Sequence, residues 1–213
     1  LILPGGFPVI FNPIWVGDHE EGKKFIAEKF QTSGFAVADT TLTPQSYYKV
    51  HQTAIQGPDG QSVAPAHYYM KGTLFGDISD GLGEVLSEWS AKVPTPQSSV
   101  VVVQLGGKVS QVPADATAVA HRHGIIWVLV IAKWMKADAD TRSKCVDWVR
   151  GLTKALEAFP STGKYAILPV PGDAETDDES SNVYAANLKR LQEIKKKYDP
   201  DNVLRMNDNI KPA

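Results

Sequence analysis

Cysteine occurs once in the 213 residues, at Cys145, so no disulfide can form within the chain. That cysteine falls on the apolar stripe of a predicted helix and lacks any local nucleophile motif, which reads as a buried structural thiol. Long hydrophobic runs are absent as well. The longest, Ile125 to Ala132, is too short to cross a bilayer, and no membrane partner is expected. The N-terminus, LILPGGFPVIF, has neither a basic region nor a small-residue cleavage site, and it lacks an initiator methionine. It therefore reads as the interior of a longer chain without a signal peptide. Charge of one sign is scarce too: the net charge is -2, and only Lys195 to Lys197 form a basic run. Phosphate backbones need a basic face, so no nucleic-acid partner is expected, and the lysine run reads as the wet side of a helix. No Gly-x-Ser-x-Gly turn is present, and neither Gly5-Gly6 nor Gly106-Gly107 sits between a strand and a helix as a phosphate-binding turn must. His121 and His123 lack a third ligand nearby, so they read as turn histidines and no metal site is expected.

What is present is an ordinary soluble composition, with 43% hydrophobic and 22% charged residues, enough for one core or two small domains. Phe7–Val16 and Phe35–Thr41 read as strands around a helix that Asp18 and Glu21 open and Gly34 closes. Thr43-Pro44 opens a short helix with Tyr47, Tyr48 and Val50, and the Gly, Pro, Asp and Ser of 56–65 read as a loop within one domain. Tyr68–Phe75 and Ser98–Leu105 follow as strands around a helix capped by Ser79 or Asp80, with Lys108–Val112 continuing the β-rich stretch. Ala116–His121 and Ile125–Met135 flank a turn and predict an antiparallel hairpin. A long helix then carries Cys145, Trp148, Val149, Leu152 and Leu156 on one face, and Lys164–Leu168 is the last strand before an acidic loop, 173–179. Strands interleaved with helices predict an α+β fold: a largely antiparallel sheet with helices covering one face. A C-terminal helix with a stripe from Tyr184 through Leu188, Leu191 and Ile194 to Tyr198 stops before Pro200 and leaves an extended tail.

That ending resembles the C-terminal signature of the berberine bridge enzyme-like family of FAD-linked oxidases. The matching residues are Tyr184, Asn187, Arg190, Leu191, Lys197-Tyr198-Asp199-Pro200, Asn202, Asn207, Asn209 and Ile210. Gly17-Asp18, Leu105-Gly106-Gly107, the run from Ala116 to Arg122, Trp134 and Trp148 are similar to motifs of the same family's substrate domain. The resemblance implies a substrate-binding domain over 1–180 and a segment over 181–213 that returns to an FAD-binding domain. That domain would lie upstream in the same gene or on a separate chain, and would hold most of the FAD. The implied reaction is oxidation of an alcohol, sugar or secondary metabolite, with hydride passing to flavin and dioxygen reoxidising it.

On this reading Tyr184 is the candidate catalytic base, with core packing as its bland alternative. Asn187, Asn207 and Asn209 are candidates for the flavin ring, with local backbone capping as theirs. Gln104, Trp127, Leu129 and Tyr165 are candidates for the small-molecule substrate, with core or edge packing as the alternative for Gln104 and Trp127. Leu129 and Tyr165 stand where the family often carries polar groups, a departure from the plant-type arrangement. The competing reading is a stand-alone α+β ligand-binding or scaffolding module without catalysis. A chain taken alone is expected to expose an apolar sheet face, which a homodimer would hide.

Overall fold

In a computed structural model of the chain, residues 11, 13–32, 42–56, 66–123, 126–165, 183–205 and 209–213 are described. The chain divides into two compact units, Leu1–Pro65 and Ala66–Ala213. The division falls at the end of the Gly- and Pro-rich stretch, across which the sequence reading carries a single domain.

In the first unit, α1 spans His19–Thr32 and α2 spans Tyr47–Gln56. The Asp18 carboxylate accepts the backbone N–H groups of Glu20 and Glu21, each at 3.0 Å, which satisfies two donors at the start of α1. The Trp15 ring lies 5.3 Å from that of Phe25. The described part of the expected first strand, Phe11 and 13–16, is not a strand, and the expected strand at Phe35–Thr41 lies outside the described residues.

Among the described residues the second unit holds one four-stranded sheet, and every pair in it is antiparallel. Its strands are β1 (His67–Phe75), β2 (Ser99–Gln104), β3 (Ile126–Trp134) and β4 (Ser161–Lys164), in the order β2-β3-β1-β4. The helices are α3 (Leu82–Ser90), α4 (Ala139–Leu156) and α5 (Leu188–Tyr198), the last preceded by a 3-10 turn, Ala185–Asn187. This is the α+β architecture that the sequence predicts.

Alternation sets the two faces of the sheet. Val128, Val130, Ala132 and Trp134 of β3 join Tyr69 and Phe75 of β1 in a buried cluster with Cys145, Trp148, Val149, Leu152 and Leu156 of α4. The α4 stripe therefore does what its spacing predicts, and burial pushes the Cys145 thiol upward in pKa. Asp138 caps α4 by accepting the N–H of Thr141 at 2.8 Å. At α3 the cap differs from expectation. Neither Ser79 nor Asp80 fills it: the N-cap is Gly81 at φ 83°, a left-handed position that suits glycine, and no side chain bonds there.

The expected hairpin is absent. Ala116–His121 forms turns and irregular backbone, as do residues 108–112. The reason lies in the sheet: β3 pairs with β2 along one edge and with β1 along the other, so no ladder edge remains for a third neighbour.

Candidate functional site

Helices α3 and α4 cover one face of the sheet, and among the described residues of the second unit no helix covers the other. The register places Tyr68, Met70, Gly72 and Leu74 of β1 beside Lys133, Ile131, Leu129 and Trp127 of β3 on this second face. Val103 of β2 and Gly163 of β4 complete the row through Trp127 and Leu74. Leu74 is buried here, while Trp127, Leu129 and Ile131 are half-buried.

Three of the four substrate candidates meet on this face. The backbone N–H of Tyr165 donates to the Gly72 carbonyl at 3.2 Å, extending the β4 register by one residue. Glycine offers no side chain at that point, and the Tyr165 ring lies 5.0 Å from the Trp127 ring at a 48° tilt. Leu129 stands two residues along β3 from Trp127, on the same side. Gln104 does not join them: it pairs with Ile126, so it is exposed at the end of β2 on the opposite face. The Trp127 indole N–H is buried without a partner among the described residues.

His121, read from sequence as a turn residue, also reaches this face. A Cβ built on Gly163 would stand 2.2 Å from the imidazole of His121, so the ring occupies the space where a β4 side chain would be. Gly163 has a φ of 154°, which also disfavours any other residue. No local signal could have revealed this contact, since 42 residues separate the two positions.

The irregular loop bearing His121 is held from the C-terminal helix. Asn187 is buried, and its Nδ2 donates to the carbonyls of Ala114 at 2.7 Å and Thr117 at 3.1 Å. The Arg190 guanidinium donates to the Asp115 carbonyl at 3.1 Å, and that of Arg122 donates to the Thr117 hydroxyl. Asn187 is therefore engaged with the loop backbone through its amide nitrogen. Tyr184, half-buried, stands just before the 3-10 turn.

Beyond α5 the tail is tied. Asp199 ends the helix and accepts the N–H groups of Val203 at 2.8 Å and Leu204 at 3.0 Å, while Lys195 bridges it to the Leu204 carbonyl. The Ala213 N–H reaches back to the Gln192 carbonyl at 3.3 Å. Asn207 lies outside the described residues; the amide oxygen of Asn209 is buried without a partner among them. The stripe of α5 is only partly covered: Ile194 and Tyr198 are exposed, and no residue of α5 is fully buried.

The Lys195 hydrogen bond holds the Asp199 carboxyl below its ordinary range; burial opposes this, and the two backbone N–H groups reinforce it. A depressed carboxyl stabilises the folded tail above its unfolded pKa, and that contribution disappears as pH falls through the folded value. Acidification below about pH 4 is thus expected to release the turn after α5, seen as faster amide exchange at Val203 and Leu204. Asp199→Asn should show the same release at neutral pH, and unchanged exchange in that variant would contradict the assignment.

A separate cavity of about 440 Å³ lies at the other end of β1 and β3, lined by His67, Tyr68, Trp134 and Arg142 among others. None of the sequence-predicted site residues borders it.

Comparison with known proteins points one way. Residues 172–211 match the model of the family described as berberine and berberine like. An uncharacterised FAD-linked oxidoreductase, YvdP, of Bacillus subtilis is 34% identical over 118 residues, covering 55% of this chain and 25% of that protein. The aclacinomycin-N/aclacinomycin-A oxidase of Streptomyces galilaeus is 28% identical over 207 residues, covering 88% of this chain and 31% of its own length. Among solved structures, a berberine bridge enzyme variant described as a reticuline dehydrogenase superposes with a TM-score of 0.67 at 17% identity, over 92% of this chain and 44% of that one. The chain thus spans less than half the length of these proteins.

Proposed function

We propose, from the premise that this chain belongs to the berberine bridge enzyme-like family of FAD-linked oxidoreductases, that it is the substrate-domain part of an oxidase acting on an alcohol, sugar or secondary metabolite. The observation that carries this reading is the sheet face that no described helix of the same unit covers, where Trp127, Tyr165 and Leu129 gather. A half-buried apolar surface with aromatic rings suits a planar ring and a small substrate between them. FAD, held mainly by a domain outside this chain, would supply the hydride acceptor and be reoxidised by dioxygen.

The residues present fit such a group. Asn209 offers a buried amide oxygen with no partner among the described residues, an acceptor suited to a ring N–H. Asn207 is proposed with it from the sequence pattern. The Asn187 amide nitrogen serves the loop, so its contribution is to fix that loop beside the site. Gln104 ends β2 on the opposite face, so no substrate contact is assigned to it. Oxidation also needs a base for the substrate hydroxyl, to be found in Tyr184 or among the titratable groups on the open face. The strands themselves contribute no carboxylate.

Purified by itself, the chain is expected to be colourless. Mixing it with a separately expressed flavin domain of the same protein should give a yellow complex that oxidises alcohols. A flavin domain that neither binds the chain nor gains activity from it would refute the proposal, and would favour the stand-alone binding module.

A further inference from the structure

We propose that His121 accepts the proton of the reacting hydroxyl, with Trp127 and Tyr165 positioning the substrate beside it. The inference rests on the functional reading above and names a group within the same site. Three observations lead to it. The imidazole lies against Gly163, in the row that continues through Leu74 to Trp127. Tyr165 is two residues further along the same side of that edge, about 7 Å away by strand geometry. The loop that presents the ring is fixed through three backbone carbonyls by Asn187 and Arg190, so the imidazole is placed before substrate arrives.

Elimination supports the choice. No Asp or Glu occurs in any of the four strands; of the other titratable groups described on this face, Tyr68 and Lys133 pair with each other at 5.4 Å at its far end, and the Tyr165 ring lies near that of Trp127. Near His121, β4 contributes Tyr165 on the same side and Lys164 on the opposite one, while β1 and β3 contribute the uncharged Leu74 and Trp127. In its own loop Arg122 is bonded to Thr117, and from α5 Arg190 is bonded to the Asp115 carbonyl. Imidazole is suited to proton transfer near neutral pH. In the reaction the C–H bond of the alcohol carbon gives a hydride to FAD, the O–H proton goes to His121, and the carbon–oxygen bond becomes a carbonyl.

The test uses the full-length flavoprotein containing this chain, together with the 213-residue chain itself. In the flavoprotein, His121→Gln should lower kcat/KM about 100-fold or more and abolish the acidic limb of the pH–rate profile. In the chain alone, benzyl alcohol should shift the His121 imidazole NMR signals in a saturable way, and Trp127→Ala should remove that response. Gly163→Ala should displace the ring and reproduce the kinetic loss. The inference is overturned if the acidic limb survives in His121→Gln or is lost in Tyr184→Phe instead, or if the imidazole signals ignore benzyl alcohol. Failure of the underlying reading looks different, because the full-length protein would then carry no flavin absorbance at all.

Discussion

Replacing Trp148 by alanine is expected to cost about 3–5 kcal/mol of folding stability, enough to remove a large share of what a domain of this size has. Trp148 is 5% exposed and packs in the cluster between α4 and the sheet. Its indole N–H also donates to the Trp89 carbonyl at 3.0 Å, which ties α4 to the end of α3. Truncation therefore combines a large cavity with a lost hydrogen bond at a partly buried carbonyl. Trp148→Phe separates the two effects: most of the apolar area is kept, and a loss of about 1–2 kcal/mol is expected, mainly from the unpaired carbonyl. Urea unfolding followed by circular dichroism measures both variants. If the alanine variant lost less than about 1 kcal/mol, Trp148 would not be the helix-to-sheet anchor described here.

Gly151→Ala is the second case, and two principles disagree about its sign. Helix propensity alone says that alanine in the interior of α4 should gain about 1 kcal/mol over glycine. Packing says the reverse, because the added methyl would stand 2.3 Å from the Trp89 ring. Real contacts of that length do not persist, so the ring must rotate away. Its backbone is held by Trp148, and its face lies under the Lys92 ammonium at 5.6 Å. Packing is expected to win, with a net loss of about 1–3 kcal/mol. Shrinking the partner checks the cause: in a Trp89→Leu background the same substitution should become neutral or stabilising. A stabilised Gly151→Ala in the native background would show that α3 moves freely against α4.

Much of this molecule was readable from local pattern. The α4 stripe through Cys145, Trp148, Val149, Leu152 and Leu156 is buried as its spacing predicts. The apolar runs of β1, β2 and β3 became strands with ends shifted by only a residue or two. The Asp18 cap formed, and α5 stopped before Pro200. Where the reading failed, the chain offered two acceptable outcomes. Ala116–His121 alternates like a strand, but β3 has only two edges and both were taken by more distant partners.

The candidate site divides along the same line. Trp127 and Leu129 could be placed on one face from alternation alone. Tyr165 joins them because β4 pairs with β1, a match between segments some 90 residues apart in the chain. His121 was legible only as one of two histidines near a turn.

Composition and periodicity thus determined which segments are helical or extended and which helical faces are apolar. These depend on neighbours within a few residues, whose preferences act wherever the segment lies. Tertiary structure alone decided which edges pair, that among the described residues of the second unit only one sheet face carries helices, and that an imidazole fills the place of a missing β4 side chain. Such outcomes follow from competition among distant segments for the same hydrogen-bonding edges and the same volume, and no short stretch of sequence encodes the result of that competition.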